Sequence, residues 1–407
     1  MSVIDVLLQH KKAGELFYDK SRMEYGFNYT RECDPISLTM PYQKSSYIWK
    51  HHLHPIFEMN LPEGYLFEVF KNHLQKEFGY IDEFLIFSFI APNIESRLNF
   101  KSEFDKTAFA AVDLNEVLQN DTEDTFLRLV RVFLSRNAVS GIQPKTLALI
   151  KDKENLPLKE YIIKTWGEEY PRLAENEYFC MQAVSKAGVM IPVVRMSEHK
   201  KFLLVEKFDF NKKSGEFRGF EELLVLMGKN RNRKYSGSYE QVAKFVYAVS
   251  TDKIFSMEQL FKTIVMCYLL RNGDAHLKNF GVLYDSSFTD IRLAPAYDIV
   301  TTTAYIFNDK PALTMFGKKV WWGKADLIRF GTEHCYLSPR QAASMYALCL
   351  QAVSDTLAEL KNYMKLAPDF VPVATRILDS WQSSLSGKSQ KELSNEIIRN
   401  WRADKKA

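Results

Sequence analysis

The order of patterns along the chain is the tightest constraint on its fold. Short β-rich stretches dominate from about residue 138 to 210, and helical patterns take over from 220 to the C-terminus. Thr146 to Ile150 is apolar, Tyr161-Ile162-Ile163-Lys164-Thr165 is β-branched and aromatic, and Lys201 to Phe208 alternates around Leu203-Leu204-Val205. Between the last two a helix is predicted from about Ala174 to Lys186, stopped by Gly188. Residues 1–135 mix alternating stretches such as Ser37-Leu38-Thr39-Met40-Pro41 with helical ones, Leu66 to Phe78 and Thr125 to Val130. Pro62-Glu63-Gly64 and Ser135-Arg136-Asn137 punctuate them. Strands followed by helices, with no internal repeat, point to an α+β protein.

Size and composition narrow the class without naming a partner. A chain of 407 residues can hold two or three packed units. With 46% apolar and 26% charged residues it reads as a folded globular protein, not a disordered one. Lys+Arg 54 against Asp+Glu 50 leaves +4, which permits nucleotide phosphate or nucleic acid and demands neither. The five cysteines, Cys33, Cys180, Cys267, Cys335 and Cys349, are odd in number and lack CxxC spacing. They read as reduced thiols of a cytoplasmic protein. The apolar start is interrupted by His10 and Lys11, which is no signal peptide. Ile264 to Leu270 is far short of the roughly 20 residues that cross a bilayer, so no membrane association is expected.

One helix is predicted in detail. Ser256 and Gln259 form a candidate capping box, Phe255 can staple onto Leu260, and Leu260, Ile264, Cys267 and Tyr268 recur at helical spacing. It should end at Asn272-Gly273, with the glycine taking up the reversal. Directly afterwards, Arg271 to Phe280 packs polar side chains behind a buried helix. Leu293-Ala294-Pro295-Ala296-Tyr297-Asp298-Ile299-Val300 then sets one carboxylate in an apolar, strand-like stretch. A lone Asp there would cost several kcal/mol in desolvation unless it met something positive. Phosphoryl-transfer enzymes use such a pair of segments. A loop Asp takes the proton of the acceptor hydroxyl, an Asn five residues on binds metal, and a later Asp holds Mg²⁺ on the phosphates. Asp274, Asn279 and Asp298 have that order and spacing, and Mg²⁺ needs few protein ligands.

Softer signals lie upstream. Val139-Ser140-Gly141-Ile142-Gln143-Pro144-Lys145 could be a phosphate-cradling turn or simply a turn, since it is not GxGxxG. Lys164 lies on a predicted strand, where a kinase places its phosphate-pairing lysine, although strand lysines are usually solvated. Glu206-Lys207-Phe208 could offer backbone groups and a ring to adenine.

Together these segments resemble the HipA family of bacterial serine/threonine kinases, the toxins of toxin–antitoxin pairs. The resemblance rests on Ser140-Gly-Ile-Gln-Pro-Lys145, Ile162-Ile-Lys164, Glu175-Asn-Glu-Tyr178 and Val205-Glu-Lys-Phe-Asp209. It continues through Asn272-Gly-Asp-Ala-His-Leu-Lys-Asn-Phe280 and Ala294-Pro-Ala-Tyr-Asp298, with Pro35-Ile-Ser-Leu-Thr-Met-Pro41 and Pro62-Glu-Gly64 near the N-terminus. It implies a two-lobed protein-kinase-like fold, with a small N-terminal subdomain over 1–135, a strand-rich nucleotide-binding part over 136–210 and an all-helical C-lobe over 211–407. ATP and Mg²⁺ would lie between the lobes. Carried over by position, Asp274 is the base, Asn279 and Asp298 bind Mg²⁺, and Lys164 contacts the ATP phosphates. Glu206 and Phe208 form the adenine hinge, Val139 to Gln143 with Lys145 the phosphate loop, and His276 and Lys278 are further active-site residues. The family's autophosphorylated loop serine matches Ala138 here, so that switch is missing, or the chain is an engineered variant, or the nearby Ser140 takes the role. The resemblance also implies a HipB-like helix-turn-helix antitoxin, DNA contact only through that partner, and a protein substrate such as an aminoacyl-tRNA synthetase. Two other readings keep the same residues: a catalytically silent relative that binds nucleotide or antitoxin, and a small-molecule kinase of similar fold.

Overall fold

The computed structural model describes residues 2–62, 81–104, 114–122, 154–157, 161–167 and 169–386. It also describes short runs between 67 and 79 and at 124–126 and 128–129. The expected phosphate turn, the stretch Thr146 to Ile150 and the turn at Ser135 lie outside these residues. The chain divides into two compact units, one of residues 1–169, 196–233 and 283–289, the other of 170–195, 234–282 and 290–407.

The first unit opens on an antiparallel sheet of β1 (Ser2–Leu8), β2 (Lys11–Asp19), β3 (Glu24–Tyr29), β4 (Tyr47–Lys50) and β5 (Leu98–Lys101), in the order β4-β3-β2-β1-β5. Period-two patterning drives it: Ile4, Val6 and Leu8 of β1 are all buried, with a register shift between Val6 and Leu7. Helix α1 (Glu83–Ile90), capped by the Asp82 side chain on Leu85 N, adds Phe84, Phe87 and Phe89 to the core. Phe87 meets Phe100 edge-on at 5.2 Å between ring centroids. The described positions between 67 and 78 are helical, as their pattern predicts.

Two buried carboxylates organise the rest of this unit. Asp121 accepts hydrogen bonds from Ser197 Oγ, from His199 N at 3.1 Å and from Lys201 N at 3.0 Å, and lies 2.6 Å from His199 Nδ1. It thereby fixes the turn at 197–201. Glu221, fully buried, accepts from Ser37 Oγ at 2.9 Å, Leu38 N at 2.8 Å and Tyr284 OH at 2.6 Å. Two of the expected strands are present, β7 (Tyr161–Thr165) and β8 (Leu203–Glu206); β7 pairs antiparallel with β8 on one side and with β6 (Glu154–Pro157), which the sequence did not signal, on the other.

The second unit is chiefly helical: α2 (Leu173–Lys186), α3 (Tyr239–Val249), α4 (Lys253–Leu269), α5 (Lys324–Glu333), α6 (Pro339–Met364) and α7 (Val371–Leu385). Strand Ile291–Leu293 interrupts the helices, and strand Gly281–Tyr284 begins in this unit and ends in the first. Helix α2 matches its prediction, with Gly188 at φ +68 just past its end. Helix α4 starts earlier than the sequence suggested. Its N-cap is Asp252, which accepts from Phe255 N, so the expected box at Ser256 and Gln259 does not form. Ser256 is instead buried and accepts from Leu293 N at 3.1 Å, while Gln259 holds Gly188 O and Met190 N.

Candidate active site

The turn after α4 is made by Arg271 at φ +56, not by Gly273. Burial lowers the Arg271 guanidinium to about 10, and its carbon lies 5.1 Å from the Trp321 ring centroid. Gly273 is needed for a different reason. A Cβ there would collide with the Asp309 carboxylate and come within 2.8 Å of Lys310 O. Gly273 N donates to Thr302 Oγ1 at 2.8 Å, and that hydroxyl donates to Arg271 O. The start of the loop is thus stapled to the segment that follows Asp298.

Beyond it the loop is held from several sides. Asp274 N donates to Asn272 Oδ1, Leu277 N to Lys234 O, Tyr239 OH to Ala275 O and Tyr297 OH to Lys278 O. Leu277–Asn279 forms a short 3-10 turn with Asn279 N on His276 O at 2.9 Å. The Asp274 carboxylate is partly exposed, and its Oδ1 accepts from Tyr235 OH at 2.8 Å. His276 Nε2 lies 3.8 Å from the same oxygen. Burial lowers the His276 pKa, and the pull of Asp274 in the other direction does not offset it, so this ring is neutral at physiological pH.

Asn279 and Asp298, each expected to bind Mg²⁺, are joined by a hydrogen bond: Asn279 Nδ2 donates to Asp298 Oδ2 at 3.0 Å. Asp298 has φ +59, in the left-handed region, and its segment is irregular where a strand was expected. Three residues on, Asn176 of α2 grips Thr301 at both backbone groups, accepting from its N–H at 2.9 Å and donating to its carbonyl at 3.1 Å. Trp381 of α7 donates to Thr301 Oγ1 at 2.8 Å. These buried bonds hold the unusual backbone in place.

The donor set suits a hard cation. Asn279 Oδ1 is buried without a hydrogen-bond partner, next to the Asp298 carboxylate. One amide oxygen and one carboxylate match what Mg²⁺ takes from a protein when phosphates supply other ligands. Among the described residues no group of three or more His, Cys, Asp and Glu side chains could hold a metal.

The other expected residues belong to the first unit. Lys164 is buried on β7, opposite Asn155 and Leu203. Glu206 ends β8 opposite Tyr161, its carboxylate 3.0 Å from Lys212 Nζ. Phe208 packs edge-on to Phe220 at 5.2 Å. Ala138, Val139, Ser140, Gly141, Ile142, Gln143 and Lys145 lie outside the described residues.

With this geometry in hand, comparison with known proteins is decisive about kinship. The family description of a HipA-like C-terminal domain matches residues 137–357, and that of a HipA N-terminal domain matches 4–93. The chain belongs to the HipA family. Its fold agrees with that of HipA in the complex of Shewanella oneidensis HipA, HipB and operator DNA, with a TM-score of 0.69 at 16% identity, covering 96% of this chain and 99% of that one. A Haemophilus influenzae protein named "Putative kinase" is 33% identical over 190 residues, 42% of this chain and 55% of its own length. "Putative kinase Y4dM" of Sinorhizobium fredii is 24% identical over 268 residues, 60% of this chain and 63% of its own. The match thus spans between about half and two thirds of these relatives. Among the described residues of this HipA-family chain, no helix is long and apolar enough to cross a membrane.

Sequence reasoning missed Tyr235, Tyr297, Asn176 and Thr301. Tyr297 adjoins Asp298 and Asn176 adjoins Glu175, so each stood inside a noted motif without a role. Tyr235 closes the basic run Arg231-Asn-Arg-Lys-Tyr235, which signals charge and nothing about catalysis.

Proposed function

We propose that this HipA-family chain is an ATP- and Mg²⁺-dependent serine/threonine-protein kinase, the toxin of a toxin–antitoxin pair. The observation that carries the reading is the loop of Asp274 and Asn279 together with Asp298, where an unpartnered amide oxygen adjoins a carboxylate. In this reading Asn279 and Asp298 hold the metal, which when bound would offset phosphate charge. Lys164 meets the phosphates, and the Glu206 backbone and Phe208 receive adenine. Asp274 takes the proton as the acceptor oxygen bonds to the γ-phosphorus and the bond to ADP breaks. Neutral His276 stands beside the base without adding charge, and Lys278 supplies a cation to the same loop.

The partner would be a HipB-like helix-turn-helix antitoxin, bringing DNA contact only indirectly, because the similar Shewanella HipA occurs in a complex with HipB and operator DNA. The substrate would be a component of translation such as an aminoacyl-tRNA synthetase, in the cytoplasm. The test is incubation of the protein with γ-labelled Mg·ATP and whole-cell lysate. A labelled protein band is expected for the wild type. Asp274→Asn should lower transfer by about 10²- to 10⁴-fold, the usual contribution of a positioned base, and still bind nucleotide. Label confined to a small molecule would refute a protein acceptor, and equal transfer by the variant would refute the base.

A further inference from the structure

The segment from Lys234 to Tyr239 runs along the catalytic loop and contacts it at three points. Lys234 O accepts from Leu277 N at 3.1 Å, Tyr235 OH donates to Asp274 Oδ1 at 2.8 Å, and Tyr239 OH donates to Ala275 O at 3.1 Å. The segment is anchored in turn, with Tyr239 N on Thr314 O at 2.9 Å and Thr314 N on Gly237 O at 3.2 Å. Of the three contacts, two fix backbone and one reaches the reactive carboxylate.

We infer that Tyr235 is a positioning residue for the general base: its hydroxyl fixes one carboxylate oxygen of Asp274, so that the other takes the acceptor's proton. The inference rests on the kinase reading. A carboxylate on a partly exposed Asp can rotate about its side-chain torsions, and only one orientation presents a lone pair to an acceptor. A charge-assisted O–H donor at 2.8 Å restricts that rotation without neutralising the base. The Tyr235 ring is itself set by an edge-on contact with His276 at 5.0 Å and 76°. His276 is buried and offers this ring a wall to pack against. The tyrosine is 47% exposed, so it is not held by core packing.

Tyr235→Phe removes the hydroxyl and keeps the ring on His276. Single-turnover conversion of γ-labelled Mg·ATP, with water and the protein's own hydroxyls as acceptors, would be measured in four forms: wild type, Tyr235→Phe, Asp274→Asn and the double variant. Fluorescent-ATP binding would be measured alongside. The expected result is a roughly 10- to 100-fold slower rate for Tyr235→Phe with nucleotide affinity unchanged, and less than a 2-fold further loss in the Asp274→Asn background. A merely structural tyrosine would cost the same factor in both backgrounds, and that result would overturn the inference. So would a Tyr235→Phe variant as fast as wild type. If the wild type forms no ADP at all, the kinase reading fails and takes this inference with it, whereas turnover that is insensitive to Tyr235 defeats the inference alone.

Discussion

Replacing Glu221 tests how the N-terminal loop around Ser37 is held. The carboxylate is fully buried, and its Oε1 accepts from both Leu38 N at 2.8 Å and Tyr284 OH at 2.6 Å, with Ser37 Oγ on Oε2. Glu221→Ala strands the Leu38 N–H and the Tyr284 hydroxyl, while Ser37 can still turn to Thr39 Oγ1 at 2.8 Å. Two buried donors without acceptors, at about 1–3 kcal/mol each, give a loss of roughly 2–6 kcal/mol. Glu221→Gln behaves differently. Its amide oxygen can keep both bonds on the Oε1 side, and its NH₂ can donate to Ser37. Burial raises the Glu221 pKa above its ordinary 4.5, and the bonds from Tyr284, Leu38 and Ser37 do not cancel that effect. The folded state therefore binds this proton more tightly than the unfolded chain. The group's contribution is fully present below the ordinary carboxylate range and is lost as pH rises through the raised value. Glutamine has no such loss, so its stability relative to wild type should improve with pH and be within about 1 kcal/mol near neutrality. Arg97 keeps its own partners, the carbonyls of Pro35 and Ile36, in either variant. Urea unfolding followed by circular dichroism across this pH range is the assay. Equal losses for Ala and Gln, or a Gln deficit that grows with pH, would refute the account.

Three further outcomes are expected. Asp121→Asn should destabilise at neutral pH by about 2 kcal/mol, because hydrogen bonds to a charged acceptor are lost. Burial alone would raise Asp121, but the bonds from Ser197, Lys201 and His199 outweigh it and the pKa is lowered, so the deficit should close as pH falls through that lowered value in thermal melts. Asn279→Ala should raise the Mg²⁺ concentration needed for half-maximal ATP turnover by about tenfold or more, and an unchanged Mg²⁺ dependence would remove Asn279 from the metal site. Thiol titration of the native protein should find Cys33 reacting first. Burial pushes Cys180, Cys267 and Cys349 up to about 12 and Cys335 well above its ordinary value, so these four should react only on unfolding.

What the sequence reveals depends on how local the cause is. Strand β7 and helix α2 are legible because their own periodicity and the glycine at 188 specify them. The α4 N-terminus is not. Ser256 and Gln259 satisfy a local rule, but Asp252 caps one turn earlier and the core claims both side chains for Leu293 and for Gly188 and Met190. For the site, the demand that Asp298 meet something positive was legible; its hydrogen bond from Asn279 was not, because order and spacing read both side chains only as metal ligands. Tyr235 was invisible because its contact is made 39 residues away, through a turn that no pattern announces.

Strain and stability meet at the candidate site. Arg271 at φ +56 and Asp298 at φ +59 are non-glycine residues in left-handed backbone, each at a cost of about 1–2 kcal/mol. Asp298 lies three residues before Thr301 and Arg271 O accepts from Thr302 Oγ1, and the hydrogen bonds of Thr301 and Thr302 run to Gly273, Arg271, Asn176 and Trp381. Each such buried bond contributes about 1 kcal/mol, so the set can offset the two strained residues without leaving much surplus. A glycine at either position would relieve the backbone but delete the carboxylate or the guanidinium. The arrangement therefore spends packing from α2 and α7 on holding Asp298 beside Asn279, and substitutions far from the loop, at Asn176 or Trp381, act on Asp298 through Thr301.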